Sequence, residues 1–107
     1  MKAVLITPRG EKQEAIPKDG VAFTVRELQD LIQGFVEIVD IDDELIMVYD
    51  VEGAEKGKIY NETATRILYR AYQEDHKNDT DEEREQAEPF RFVSGYALVC
   101  GNQMVRN

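Results

Sequence analysis

The stretch FTVRELQDLIQGF, residues 23–35, confines the fold more than any other part of this 107-residue chain. Thr24 followed three residues later by Glu27 makes a capping box, and Phe23 with Leu28 can close a hydrophobic staple across it. Val25, Leu28, Leu31 and Ile32 fall on one face, while Arg26, Glu27, Gln29, Asp30 and Gln33 fall elsewhere. That is a short amphipathic helix with one stripe to bury. Gly34 is the expected left-handed C-cap, and on that reading Gly34→Ala costs about 1 kcal/mol. An apolar run follows at once, so the helix has to pack close to a strand.

The remaining elements read as strands and one further helix. Residues 2–7, KAVLIT, are β-branched and apolar on both faces, which suits a central strand. Pro17-Lys18-Asp19-Gly20 is a turn, with short extended pieces expected to flank it. Residues 35–41 and 45–50 surround Asp42-Asp43 and predict an antiparallel hairpin. Asn61 is the expected N-cap of a second helix over 62–73, in which Ala64, Ile67, Leu68, Ala71 and Tyr72 form an apolar stripe. Residues 90–93, 96–100 and 103–105 read as short strands ending in a C-terminal hairpin. The expected fold is a single α+β domain over 1–107: a mainly antiparallel sheet with two helices packed on a face, and a charged connector before that hairpin.

Charge is concentrated in the connector. Residues 74–88 hold eight acids and two bases, a net of −6 within a total of −9. Thr80 with Glu83 can make a second capping box, so a short charged helix ending before Pro89 fits this segment. The acidity disfavours direct nucleic-acid or acidic-membrane binding, because both depend on Lys and Arg to neutralise phosphate. The apolar N-terminal run is too short for a signal or membrane-spanning segment, and the reading expects a soluble, cytoplasmic protein.

No catalytic constellation stands out. Gly53-Ala-Glu-Lys-Gly57-Lys58 is one residue short of a phosphate loop, and Ile59 stands where Ser or Thr would bind magnesium. Asp40-Ile-Asp42-Asp43-Glu44 lacks the glycine and the late bidentate Glu of a calcium loop. His76, Ser94 and Cys100 are the single members of their types and sit in unrelated contexts, which argues against a nucleophilic triad and against a Cys/His zinc site. Cys100, within YALVC, reads as a core residue. Tyr69 and Tyr72 on the second helix are rigid amphipathic groups of the kind used at interfaces, although a core needing bulk without Trp also explains them. The reading expects no enzyme, no cofactor and no metal.

FTVRELQDLIQGFVEIV, DVEGAEKGKIYNETAT and SGYALVCG together resemble the domain-of-unknown-function family numbered 3846. The residues that carry the likeness are Phe23, Thr24, Glu27, Leu28, Gln29 and Gly34, then Glu52, Gly53, Lys56, Gly57, Asn61, Ala64 and Thr65, then Gly95, Ala97, Leu98 and Val99. The acidic insert at 74–88 is longer than the pattern leads one to expect. The resemblance implies a small protein of phages, plasmids or other mobile elements and carries no activity. Its least fold-bound positions make Glu52, Gly53, Gly57, Lys58, Asn61, Thr65 and Arg66 the candidate partner or ligand surface. The leading expectation is a non-enzymatic adaptor that binds a protein. A nucleic-acid mimic acting through Asp79, Asp81, Glu82, Glu83 and Glu85 against a host restriction or defence enzyme is the alternative. An anion or nucleotide binder at the start of the second helix is a further one.

Overall fold

The computed structural model describes residues 2–87 and 90–105. Glu88 and Pro89, the expected end of the acidic connector, lie outside the described residues. Five strands form one antiparallel sheet: β1 Ala3–Ile6, β2 Lys12–Ala15, β3 Val36–Asp40, β4 Leu45–Asp50 and β5 Ala97–Gly101, in the order β2-β1-β5-β4-β3. The helices are α1 Val25–Ile32, α2 Glu62–His76 and α3 Asp81–Gln86. The fold is α+β, with helices packed on the sheet.

The two long helices cover opposite faces, not one. Strand side chains alternate between faces. Ile46, Val48, Leu98 and Cys100 pack with Leu28 and Ile32 of α1, whereas Met47, Tyr49 and Ala97 pack with Ala64 and Leu68 of α2. β4 and β5 are therefore apolar on both sides, and they are the strands that lie between neighbours. β1 is also interior, though β5 holds the middle. Each helix buries only a narrow stripe, so each face needs its own.

Local signals predict α1 well. Thr24 and Glu27 form the capping box, and Phe23 and Leu28 are both buried in the α1 core. The C-cap differs from expectation. Gln33 takes the left-handed conformation, at φ 61°, and its N–H donates to the Gln29 carbonyl. Gly34 is not in that region, so its role lies elsewhere, as described below. The β3–β4 hairpin forms as read, paired from Val36↔Asp50 to Asp40↔Ile46. The side-chain oxygen of Asp42 accepts from the N–H groups of Glu44 and Leu45, so the acidic run is a hairpin turn.

Two elements are corrected. Lys12–Ala15 pairs with β1, a hairpin that the sequence shows only as an extended piece beside the Pro17 turn. The expected C-terminal hairpin does not form among the described residues. β5 is a single strand between β1 and β4, Asn102–Met104 is a 3-10 turn, and Val105 makes an isolated parallel bridge to Phe23. Residues 90–93 form no strand because Val93 is claimed by a helix: its N–H donates to Thr65 Oγ1 and its carbonyl accepts from the Asn61 N–H. The connector is largely helical. α2 runs on to His76, and Thr80 with Glu83 caps α3, whose side chains are all exposed.

Candidate functional site

The loop from Asp50 to Asn61 is built around a buried carboxylate. Asp50 ends β4 and is 2% exposed. Lys58 Nζ lies 2.7 Å and Lys56 Nζ 3.0 Å from its Oδ2, and the Glu52 N–H donates to Oδ1 at 2.9 Å. Burial is the largest single influence on Asp50 and pushes its pKa up. The hydrogen bonds from Lys58, Lys56 and the Glu52 amide together outweigh it, so the carboxyl titrates below its ordinary value. Lys58 also donates to the carbonyls of Ile32 and Gln33, at 3.1 and 2.7 Å. One ammonium thus ties the β4 end to the C-terminus of α1, where the helix dipole favours a cation. Lys56 lies 5.1 Å from the centre of the Phe35 ring, a cation–π contact.

Gly34 makes this clasp fit. A Cβ on Gly34 would stand 2.1 Å from Asp50 Oδ2 and 3.1 Å from Lys56 Nζ. Gly53 plays a similar part on the other side of the loop, where a Cβ would come within 2.5 Å of the Ser94 carbonyl oxygen. The N–H groups of Gly53, Lys56, Gly57 and Lys58 donate to carbonyls of Asp50, Glu52, Ala54 and Gly53. They are turned inward, unlike the amides of a phosphate cradle.

Asn61 is fully buried and uses its whole amide. Its Oδ1 accepts from the Ala64 N–H at 3.0 Å, while Nδ2 donates to the Ile6 carbonyl at 3.2 Å and the Gly95 carbonyl at 2.9 Å. It is a helix cap and also a tie between α2, β1 and the entry to β5. Thr65, also buried, bonds the Val93 backbone. Of the seven positions selected from the sequence, Asn61, Thr65 and Gly53 are interior, and Lys58 is engaged by Asp50 and α1. Glu52 is half-buried, Gly57 is exposed at a positive φ, and Arg66 is exposed and paired with Glu62 at 2.6 Å. The structure gathers Glu52, Gly53 and Lys58 at the clasp and does not join Arg66 to them through any ion pair.

A different surface presents exposed aromatic rings beside charged groups. Tyr60, Phe92, Phe90, Tyr69, Tyr72 and His76 form a continuous chain of ring contacts, with centroid separations from 4.4 Å for Tyr72–His76 to 6.4 Å for the stacked Tyr69–Tyr72 pair. Such edge-to-face and stacked pairs rigidify one another. Phe92 is 66% exposed, Tyr60 49% and Tyr69 44%. At its His76 end the ladder enters a groove of about 840 Å³ between α2 and the β3–β4 hairpin. Tyr49, Tyr72 and Phe90 line it with Glu37, Asp43 and Asp75. Tyr49 has its pKa raised, first by burial and then by the nearby charge of Glu37. His76 Nδ1 lies 2.5 Å from Asp79, which fixes the ring beside Tyr72.

Tyr69 and Tyr72 are visible from the sequence as interface-type residues. The contribution of Phe90 and Phe92 is not, because the alternation in FRFV mimics a strand. Cys100 is buried, and desolvation pushes its thiol up to about 11, which leaves almost no thiolate at neutral pH. Among the described residues no group of three or more His, Cys, Asp or Glu side chains converges to hold a metal ion, and no helix is long and apolar enough to cross a membrane. A scan against family models, a search of curated proteins and a search of solved structures each return no match.

Proposed function

We propose that the chain is a non-enzymatic protein-binding module that docks through the aromatic ladder on the α2 side of the sheet. The observation that carries this reading is the exposure of Phe92, Tyr60 and Tyr69 within one connected set of rings. Rigid aromatic groups bury large area at small cost in side-chain entropy, which is why they dominate binding energy at interfaces. On the resemblance noted in the sequence, such an adaptor would serve a phage, plasmid or other mobile element. The two alternatives have less support. The carboxylates of α3 point in several directions from a six-residue helix instead of forming one rigid row. At the start of α2, the Glu62 carboxylate occupies the first turn, where an anion would need to sit.

Phe92→Ser combined with Tyr69→Ser tests the reading. Both side chains are substantially exposed, so the unfolding free energy is expected to change by less than about 1 kcal/mol. Loss of the partner recovered with wild type by crosslinking in the native cell is the expected companion result. Full retention of that partner in the stable double variant contradicts the proposal.

A further inference from the structure

The two edges of the sheet differ. β2, reading KQEA, is short and polar, with Lys12 and Glu14 exposed, and a charged edge of this kind resists pairing with another strand. β3, reading VEIVD, has neither lysine nor proline. Among the described residues it pairs only with β4, so the N–H and C=O groups along its outer side have no strand partner there. Ile38 on this strand is 44% exposed. An apolar open edge is a template for a further strand.

The groove lies beside that edge and specifies a charge. Glu37 of β3, opposite Tyr49, lines it with Asp43 of the following turn, whereas the side chain of Asp40, opposite Ile46, lies on the α1 face of the strand. No ion pair to Glu37 or Asp43 forms among the described residues. The cationic groups lining the same space are Arg91 and, when protonated, His76, which faces Asp75 and Asp79. The opposite wall is aromatic, from Tyr49, Tyr72 and Phe90. Carboxylates facing aromatic rings suit Arg and Lys, through charge-assisted hydrogen bonds on one side and cation–π contacts on the other. A second copy of this chain fits poorly, because each copy carries −9 and its β3, reading VEIVD, brings no basic side chain to the groove.

We propose that β3 accepts an extended basic segment of a partner protein as a sixth strand, with alternate Arg or Lys side chains of that segment entering the acidic, aromatic groove. This inference rests on the protein-binding reading and names the chemistry of the partner. Backbone hydrogen bonds along β3 supply affinity, and the groove selects side chains at every second position.

Titration of the ¹⁵N-labelled chain with a short peptide alternating Arg and Val tests it by NMR. The expected result is saturable shifts in the amides of 36–40 and in the groove residues. Glu37→Gln with Asp43→Asn is expected to weaken binding about tenfold, as loss of roughly one charge-assisted contact requires. Both residues line the groove, and thermal unfolding of the variant checks that the fold is kept. A peptide with Glu in place of Arg is expected not to bind. Absence of saturable binding, shifts confined to another face, or equal affinity for the double variant overturns the inference. So does concentration-dependent self-association that is removed by Ile38→Lys, because the edge then belongs to a second copy. If the peptide fails while Phe92→Ser with Tyr69→Ser still abolishes partner recovery, the basic-strand inference falls and the binding reading stands.

Discussion

Gly34→Ala is expected to lower the unfolding free energy by roughly 3 kcal/mol, well beyond the effect of a lost C-cap glycine. Gly34 is not at a positive φ, so an alanine backbone is unstrained there. The cost comes from a methyl group placed 2.1 Å from Asp50 Oδ2. The carboxylate cannot move away without breaking its bonds to Lys56, Lys58 and the Glu52 amide. A double-mutant cycle with Asp50→Ala separates the two explanations. The clasp predicts strong coupling, with little further loss from Gly34→Ala once Asp50 is trimmed, whereas a cap predicts additivity. Chemical denaturation of the four proteins measures this. The same clasp predicts the sign of a pH effect. Asp50 titrates low in the folded state, so its contribution is present above the unfolded carboxylate pKa and is lost as pH falls through the folded value. The stability difference between wild type and Asp50→Asn should therefore be largest at neutral pH and shrink in acid.

Asn61→Asp is expected to be at least as damaging as Asn61→Ala, at roughly 3 kcal/mol for either. As an N-cap alone, Asp is as good as Asn. Asn61, however, donates two hydrogen bonds from Nδ2 to the carbonyls of Ile6 and Gly95 in a site with no solvent exposure. An aspartate there keeps the bond to Ala64 but turns a charge toward two carbonyl oxygens. Asn61→Ala loses the cap and leaves both carbonyls short of a donor. Burial raises the pKa of the introduced carboxyl, so the aspartate variant should recover stability relative to wild type as pH falls. Urea unfolding of both variants at neutral and acid pH checks the ranking. A nearly silent Asn61→Asp would reduce Asn61 to a cap.

Features set by near neighbours are legible in the sequence. The α1 capping box spans Thr24 to Glu27, the α3 box spans Thr80 to Glu83, and the Asp42 turn closes within three residues. Features set by distant contacts are not. Gly34 looks like a C-cap because Gly commonly fills that place, yet its constraint comes from Asp50, sixteen positions along the chain. Residues 90–93 look like a strand because apolar residues recur there, but the N–H and C=O of Val93 bond Thr65 and Asn61 instead of a neighbouring strand. The resemblance positions in the 50–65 loop and helix start are explained largely by this internal bonding. Asn61 and Thr65 are inside, and Lys58 joins two elements. The exposed surface lies instead on Tyr69, which the sequence does single out, and on Phe92 and the β3 edge, where no motif draws attention.

On the proposed reading the Asp50–Thr65 corner holds the fold while the partner docks on the aromatic side. Site-specific photocrosslinking tests it most directly, with a benzophenone amino acid placed at position 92 or at position 55, an exposed point on the clasp loop. The account predicts one discrete adduct from position 92 and none of that mass from position 55. The same adduct from position 55, with none from position 92, would contradict it.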